Sequence, residues 1–319
     1  MPHYRSHRGE ACRFFKQAIT SVLQQTDEQW HLVLVDDGSP AEIQSELTAL
    51  AQQHAEKITL SLQSVNRGPG YCRNLGIELA HQKGAAVILF LDADDQAHPQ
   101  RVEISRDLFA SDAAVNVLYS PFEVVNAKGE RTAESQMTPS IRQILDVYQT
   151  PPEGFDLWKT MGLQTGYMNL TSATSVRVDL ARRQPFGESR VSEDFHTWLR
   201  YAADGGNFRY TPAIPTRYRI ADAAQGSASR HRLGREFYRQ KAVVDADGFE
   251  QALALAVKHR RIQRQDTSAL RQHFRQKLGE LLAEEGVNCS ELLQQEESGK
   301  PQKAHKSHHI GDGGENHRT

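Results

Sequence analysis

Apolar positions in the first third of the chain change period in a regular way. Between Arg13 and Gln25, the residues Phe15, Ile19, Val22 and Leu23 recur on one helical face. Leu32–Val35 is then a continuous apolar run, which predicts a strand buried on both faces and ends at Asp36-Asp37-Gly38-Ser39. Ser39, Pro40 and Glu42 predict a helix start: a serine cap, proline at the first position and glutamate three residues after the cap. That helix carries Ile43, Leu47 and Leu50 inward. A second strand is expected at Ile58–Leu62, then a glycine-containing loop at Asn66–Gly70, a helix at Tyr71–Gln82 and a third buried strand at Val87–Leu91 ending at Asp92. This order implies right-handed crossovers and a mainly parallel sheet with helices on both faces. Ligands bind such sheets beyond the carboxyl ends of the strands. Both acidic clusters, Asp36-Asp37 and Asp92–Asp95, fall at those ends.

After Pro99 the alternation loosens. Val115–Val125 predicts a strand kinked at Pro121, residues 139–187 a mixture of short helices and loops, and Glu193–Ala203 an amphipathic helix using Phe195, Leu199 and Ala202. Asn207–Thr211 and Thr216–Ile220 read as short strands, and residues 235–297 as helical. The expected division is a main domain at 1–220 (in two parts, 1–125 and 126–220), a helical extension at 221–297 and a disordered tail at 298–319. The tail holds His305, His308, His309 and His317 but little that is apolar.

Composition narrows the classes. Of 319 residues 38% are hydrophobic, enough for a core, and a net charge of −2 gives no field that would draw the chain onto nucleic acid. Cys12, Cys72 and Cys289 are far apart and lack metal-ligand spacing, which points to free thiols in a reducing compartment, Cys72 as a small buried one. The longest apolar run, Ala85–Leu91, is too short to span a bilayer, and no charged-then-apolar leader opens the chain. The expected location is the cytoplasm, at most peripheral to the inner face of the membrane.

Leu91-Asp92-Ala93-Asp94-Asp95 carries the clearest chemistry. Clustered carboxylates repel one another, and a hard divalent cation that also takes phosphate oxygens relieves them. A calcium loop is excluded, because Ala97 stands where the loop needs glycine and a strand precedes it. Taken in order, Ser21–Thr26, Leu32–Ser39, Asn66-Arg67-Gly68, Arg73–Ile77 and Phe90–Asp95 with Pro99 resemble the motifs of family 2 glycosyltransferases. The resemblance extends, more weakly, to about residue 230. It implies the GT-A fold, a Rossmann-type sheet, and transfer of a sugar with inversion from a nucleoside-diphosphate donor, most often a UDP-sugar, aided by Mg²⁺ or Mn²⁺.

By resemblance, Asp37 accepts a hydrogen bond from the donor base, and Pro2, Tyr4, Asn66 and Gly68 belong to the nucleotide-sugar site. Arg73 matches a basic residue near the nucleotide, or else bridges the aspartates. Asp92 lies near ribose and metal, Asp94 is the direct metal ligand, and Asp95 supports them or caps a helix. Ser192-Glu193-Asp194-Phe195 matches the acidic pair beneath the acceptor, with Asp194 as general base and Glu193 touching or supporting the acceptor. Read without the family, the same residues are a serine cap and an acidic first turn. Thr216–Arg219 and Gly226–His231 are similar to a mobile loop from which Arg230 or His231 covers the leaving group. Trp158, Tyr167 and Trp198 either line a sugar site or pack the core. The acceptor, a glycan, a lipid-linked sugar or a small molecule, has no motif between Gln136 and Ser192.

At the amino terminus, relatives begin with a buried strand ending in a Pro-x-Tyr turn; here Met1–Arg5 resembles that turn and the strand is missing. The expectation is a chain that starts upstream of Met1; the alternative to an active enzyme is a catalytically impaired nucleotide- or glycan-binding remnant of the fold. A sugar nucleotidyltransferase would need a glycine-rich phosphate loop, which Met1–Arg13 lacks. A phosphatase with an aspartate nucleophile would carry its acids earlier in the series.

Overall fold

The computed structural model describes residues 1–7, 9–220, 228–284 and 286–287. Period changes in the sequence become β1 (Pro2–His3), α1 (Glu10–Leu23), β2 (Leu32–Asp36), α2 (Ala41–Gln53), β3 (Ile58–Leu62), α3 (Pro69–Gln82) and β4 (Val87–Leu89). There follow α4 (Arg101–Ser111), β5 (Val117–Tyr119), β6 (Phe122–Val125), α5 (Pro139–Val147), α6 (Trp158–Thr160), β7 (Thr174–Arg177) and α7 (Val178–Arg183). The chain continues with α8 (Glu193–Ala203), β8 (Phe208–Tyr210), β9 (Thr216–Arg219), α9 (Ala228–Leu233), α10 (Arg235–Lys258) and α11 (Thr267–Glu284).

The strands form three sheets, β1-β2-β3, β4-β7-β5-β8 and β6-β9. Four of their ladders are parallel, and β7 is antiparallel to both β4 and β5. Neither β7 nor α4 has a counterpart in the sequence expectations. The β7 sequence Thr-Ser-Val-Arg lacks an apolar run, and its burial is imposed by the strands on either side.

Met1–Arg5, expected as a turn with its strand missing, instead supplies a short strand. Pro2 pairs with Val35 and His3 with Asp36, Met1 donates its ammonium to the Val33 carbonyl, and the Asp37 amide donates to His3. Buried backbone groups on the edge of β2 need partners, and these residues provide them. Proline is tolerated because it opens the strand. The single sheet expected from β2 to β4 is nonetheless divided, since among the described residues β4 ladders only with β7.

The Ser39 cap expected for α2 does not form. Pro40 takes the cap position, while the Ser39 hydroxyl donates to Asp36 Oδ1 at 2.6 Å and its amide to Oδ2 at 2.9 Å. Burial would raise the Asp36 carboxyl, but hydrogen bonds from His3, Ser39 and Gln44 hold it below its ordinary range. A buried carboxylate claims the nearest donors ahead of a helix end.

The main core joins Phe90, just past β4, and Val117, Tyr119 and Val176 of the second sheet to Phe195, Trp198 and Leu199 of α8, then to Phe249 and Leu253 of α10 and Phe274 and Leu278 of α11. Helix α8 keeps the bounds and the amphipathic pattern expected of it, yet it is buried nearly all round, because α10 covers the face that would otherwise meet solvent. The helical stretch expected over 235–297 holds, among the described residues, α10 and α11, separated around Arg260, whose φ is 57°. The tail at 298–319, Cys289 and the Gly226-Ser227 part of the expected loop lie outside the described residues.

Candidate active site

The carboxyl ends of β2 and β4 open onto one cleft of about 920 Å³, lined by Asp37, Asp92, Asp94, Glu193 and Asp194 among others. Asp37 follows β2 directly. Its buried carboxylate accepts from the amides of Arg67 (2.7 Å) and Gly68 (2.8 Å), fixing the loop before α3. A carboxylate has lone pairs beyond these two. Gly38, at φ 77°, makes the approach possible: a Cβ there would meet the Asn66 amide nitrogen at 2.9 Å. Asn66, Gly68, Pro2 and Tyr4 line the same cleft, Tyr4 with half its surface exposed (52%). Cys72 is buried behind Asp37, and burial, then the Asp37 charge, pushes its thiol up to about 12.

The loop after β4 delivers the second cluster. Asp95 is fully buried and accepts from the Arg219 amide at 2.8 Å, while the Arg219 guanidinium donates to the Asp94 carbonyl at 2.9 Å. Strand β9 thus clamps the acidic turn from behind, and burial pushes the Asp95 carboxyl well up. Arg217 and Arg219 lie in β9, within the short strand expected at Thr216–Ile220, and are held in this ladder. Asp94 reaches solvent in the cleft, and among the described residues no side chain donates to its carboxylate. Desolvation by the cleft walls, and then the Asp92 charge, push it up to about 6.

Arg73, on α3, joins the halves. It is buried and donates to Asp92 Oδ1 at 2.9 Å and to Glu193 Oε1 at 2.6 Å. Of the aspartates it was expected to bridge it holds Asp92, and its second partner is Glu193. Burial, with the Asp194 charge beside it, pushes Glu193 up to about 7 against the pull of Arg73. Asp194 accepts from Tyr167 Oη at 2.7 Å and Thr171 Oγ1 at 3.1 Å.

Among the described residues no three carboxylate, histidine or cysteine side chains converge on a point. The protein offers the pair Asp92 and Asp94, one tied to Arg73 and the other unpaired and disfavoured as an anion. That donor set fits a hard divalent cation which completes its shell with water and phosphate oxygens.

Other expected site residues separate. Trp158 and Trp198 are core, at 0% and 1% exposure, whereas Tyr167 lines the cleft. Arg230 lies with its guanidinium over the Tyr238 ring at 5.3 Å, and Arg232 rather than Arg230 is on the cleft wall. His231 belongs to α9 by its backbone. Ser192 precedes α8 in a left-handed conformation (φ 58°) and does not cap it; its hydroxyl binds Asp245 at 2.5 Å. Thr171, Lys241 and Asp245, which no sequence motif marks, also stand on the cleft wall. Lys241 and Asp245 look like an ordinary i,i+4 surface pair, and only the packing of α10 on α8 brings them inward.

The family model described as glycosyl transferase family 2 matches residues 3–172, just over half of the chain. A succinoglycan biosynthesis protein, ExoW of Rhizobium meliloti, is 29% identical over 160 residues, 46% of this chain; the match spans 48% of that relative's length. Among solved structures, S. aureus TarS in complex with UDP has a TM-score of 0.52 and 16% identity, covering 83% of this chain and 72% of that one. Mannosyltransferase PcManGT of Pyrobaculum calidifontis, solved with GDP-Man and Mn²⁺, has a TM-score of 0.53 and 13% identity over 94% of this chain and 74% of that one. These likenesses give the GT-A fold.

Proposed function

We propose, from the premise that this chain belongs to glycosyl transferase family 2 and is a glycosyltransferase, that it moves a sugar from a nucleoside-diphosphate donor, UDP-linked, to an acceptor hydroxyl with inversion at the anomeric carbon. One observation carries the reading: carboxylates from three separate stretches of chain, Asp37, Asp92 with Asp94, and Asp194, line a single cleft. Asp37 receives an N–H of the donor base, with Tyr4, Asn66 and Gly68 around it. Asp94 and Asp92 hold Mg²⁺ or Mn²⁺, which supplies charge neutralisation at the departing diphosphate. Asp194 takes the acceptor proton, and Glu193, fixed by Arg73, supports the acceptor. Bound UDP in one structural neighbour, and GDP-Man with Mn²⁺ in another, are consistent with donor and metal of these kinds. The acceptor is a glycan, lipid-linked or small-molecule hydroxyl. No described helix is long and apolar enough to cross a membrane.

The test is a panel of UDP-, GDP- and dTDP-sugars offered to the purified protein with Mn²⁺ or Mg²⁺, scoring nucleotide release and transfer. Asp94→Ala should abolish metal-dependent turnover. Asp194→Asn should lower transfer by about 10²–10⁴-fold while donor binding persists. Wild-type turnover by both variants would overturn the assignment.

A further inference from the structure

Behind Asp194 lies a line of four oxygen-bearing side chains that ends on α10. Tyr167 Oη stands 2.7 Å from Asp194 Oδ1 and 2.9 Å from Ser192 Oγ, and Ser192 Oγ stands 2.5 Å from Asp245 Oδ1. Lys241 holds the other oxygen of Asp245. Each oxygen–oxygen contact at such a distance needs one hydrogen. There are three contacts, and the tyrosine and serine hydroxyls bring only two hydrogens. While both carboxylates are ionised the line is one hydrogen short. Ser192 adds an independent sign: it adopts a left-handed conformation and forgoes capping α8, and its hydroxyl is given to Asp245 instead.

We propose that Asp194, Tyr167, Ser192 and Asp245 form one proton-sharing unit, in which Asp245 acts as a positioning residue that sets how readily Asp194 accepts a proton. This rests on Asp194 being the base. When the acceptor hydroxyl gives its proton to Asp194, the O–H electron pair stays on the acceptor oxygen and forms the new bond to the sugar carbon, while the bond from that carbon to the donor's diphosphate breaks and its electron pair leaves with the diphosphate. The unit then holds three hydrogens for three contacts. The carboxyl that carries the added proton donates to its neighbouring hydroxyl, the hydroxyls donate onward in the same sense, and the second carboxylate accepts.

The surroundings suit this. Asp245 is buried, and burial raises its carboxyl against the pull of Lys241 and Ser192. Among the described residues the charged or titratable groups about the pair include Glu193, His196, Arg73 and Tyr218, with Lys241 also over the Tyr167 ring at 5.1 Å.

The experiment follows Asp194 directly, by NMR of full-length protein labelled at aspartate Cγ, alongside the pH profile of kcat/KM. In Asp245→Asn the carboxamide N–H donates to Ser192 and completes the line with Asp194 ionised. The Asp194 midpoint and the acid limb of the profile should both move down by about one pH unit. Ser192→Ala, which cuts the line, should act in the same direction. Tyr167→Phe removes a donor to the carboxylate and should move both upward. A purely structural role for Asp245 would lower activity without moving the limb. An unchanged Asp194 midpoint in Asp245→Asn and Ser192→Ala overturns the unit. If the midpoints move as expected while Asp194→Asn keeps full turnover, the unit stands and the base assignment falls.

Discussion

Arg73 is a buried cation that touches both Asp92 and Glu193 in the cleft. Its ion pairs, at 2.9 Å to Asp92 and 2.6 Å to Glu193, offset the desolvation of all three side chains. Removing it leaves Glu193 buried with Asp194 beside it and Asp92 facing Asp94, with no counter-charge from α3. Arg73→Leu should therefore cost about 3–5 kcal/mol, the range for breaking a buried pair from one side. Urea unfolding measures this, and a loss below that for an exposed pair, about 1 kcal/mol, would show that water already screens the network. The sequence offered Arg73 two roles, near the nucleotide or bridging the aspartates. It could not see Glu193 as the second partner, because the contact spans 120 positions of chain.

At the scale of elements, the apolar periods located α1, α2, α3 and β2 within a few residues, since each owes its existence to a local pattern that one buried face requires. Cap residues were less legible. Ser39 and Ser192 both stand where a helix begins, yet both hydroxyls go to buried carboxylates, Asp36 and Asp245. Which acceptor wins depends on burial, and a local motif carries no information about burial. Helix α8 is the sharper case, its amphipathic pattern overridden by α10. At Gly248 α10 comes close against α8. A Cβ there would fall 2.9 Å from the His196 Cα. In an open helix Gly→Ala stabilises by about 1 kcal/mol; here Gly248→Ala should destabilise by about 1–3 kcal/mol through overpacking. Thermal unfolding of the variant checks the sign, and a raised Tm would mean that the helices can part without loss.

For the whole molecule the division expected after residue 220 has a consequence in the core. Trp158 and Trp198 are sealed by Phe249, Leu253, Phe274 and Leu278 from the helices beyond it. Baring such side chains costs about 1.5–3 kcal/mol each, comparable in sum to the total stability of a domain. A fragment of residues 1–220 should therefore lack a cooperative thermal transition and bind a hydrophobic dye, whereas the full chain melts as one unit. A sharp native-like transition in the fragment would show that the helices are an appendage. The acidic line from Asp194 to Asp245 crosses the same boundary.

The sequence by itself determined the alternation of strands and helices through β4, the placement of Asp37 and Asp92–Asp95 at strand ends, and the family. These follow from short-range periodicity and from the rule that loops after parallel strands lie on one edge of the sheet. Only the tertiary structure decided that β7 runs antiparallel between β4 and β5, that Arg73 bridges Asp92 and Glu193, and that α10 brings Asp245 within reach of Ser192. Each of these is a contact between distant stretches of chain. Its free energy comes from burial and from the partners that burial makes necessary, and neither exists until the elements have packed.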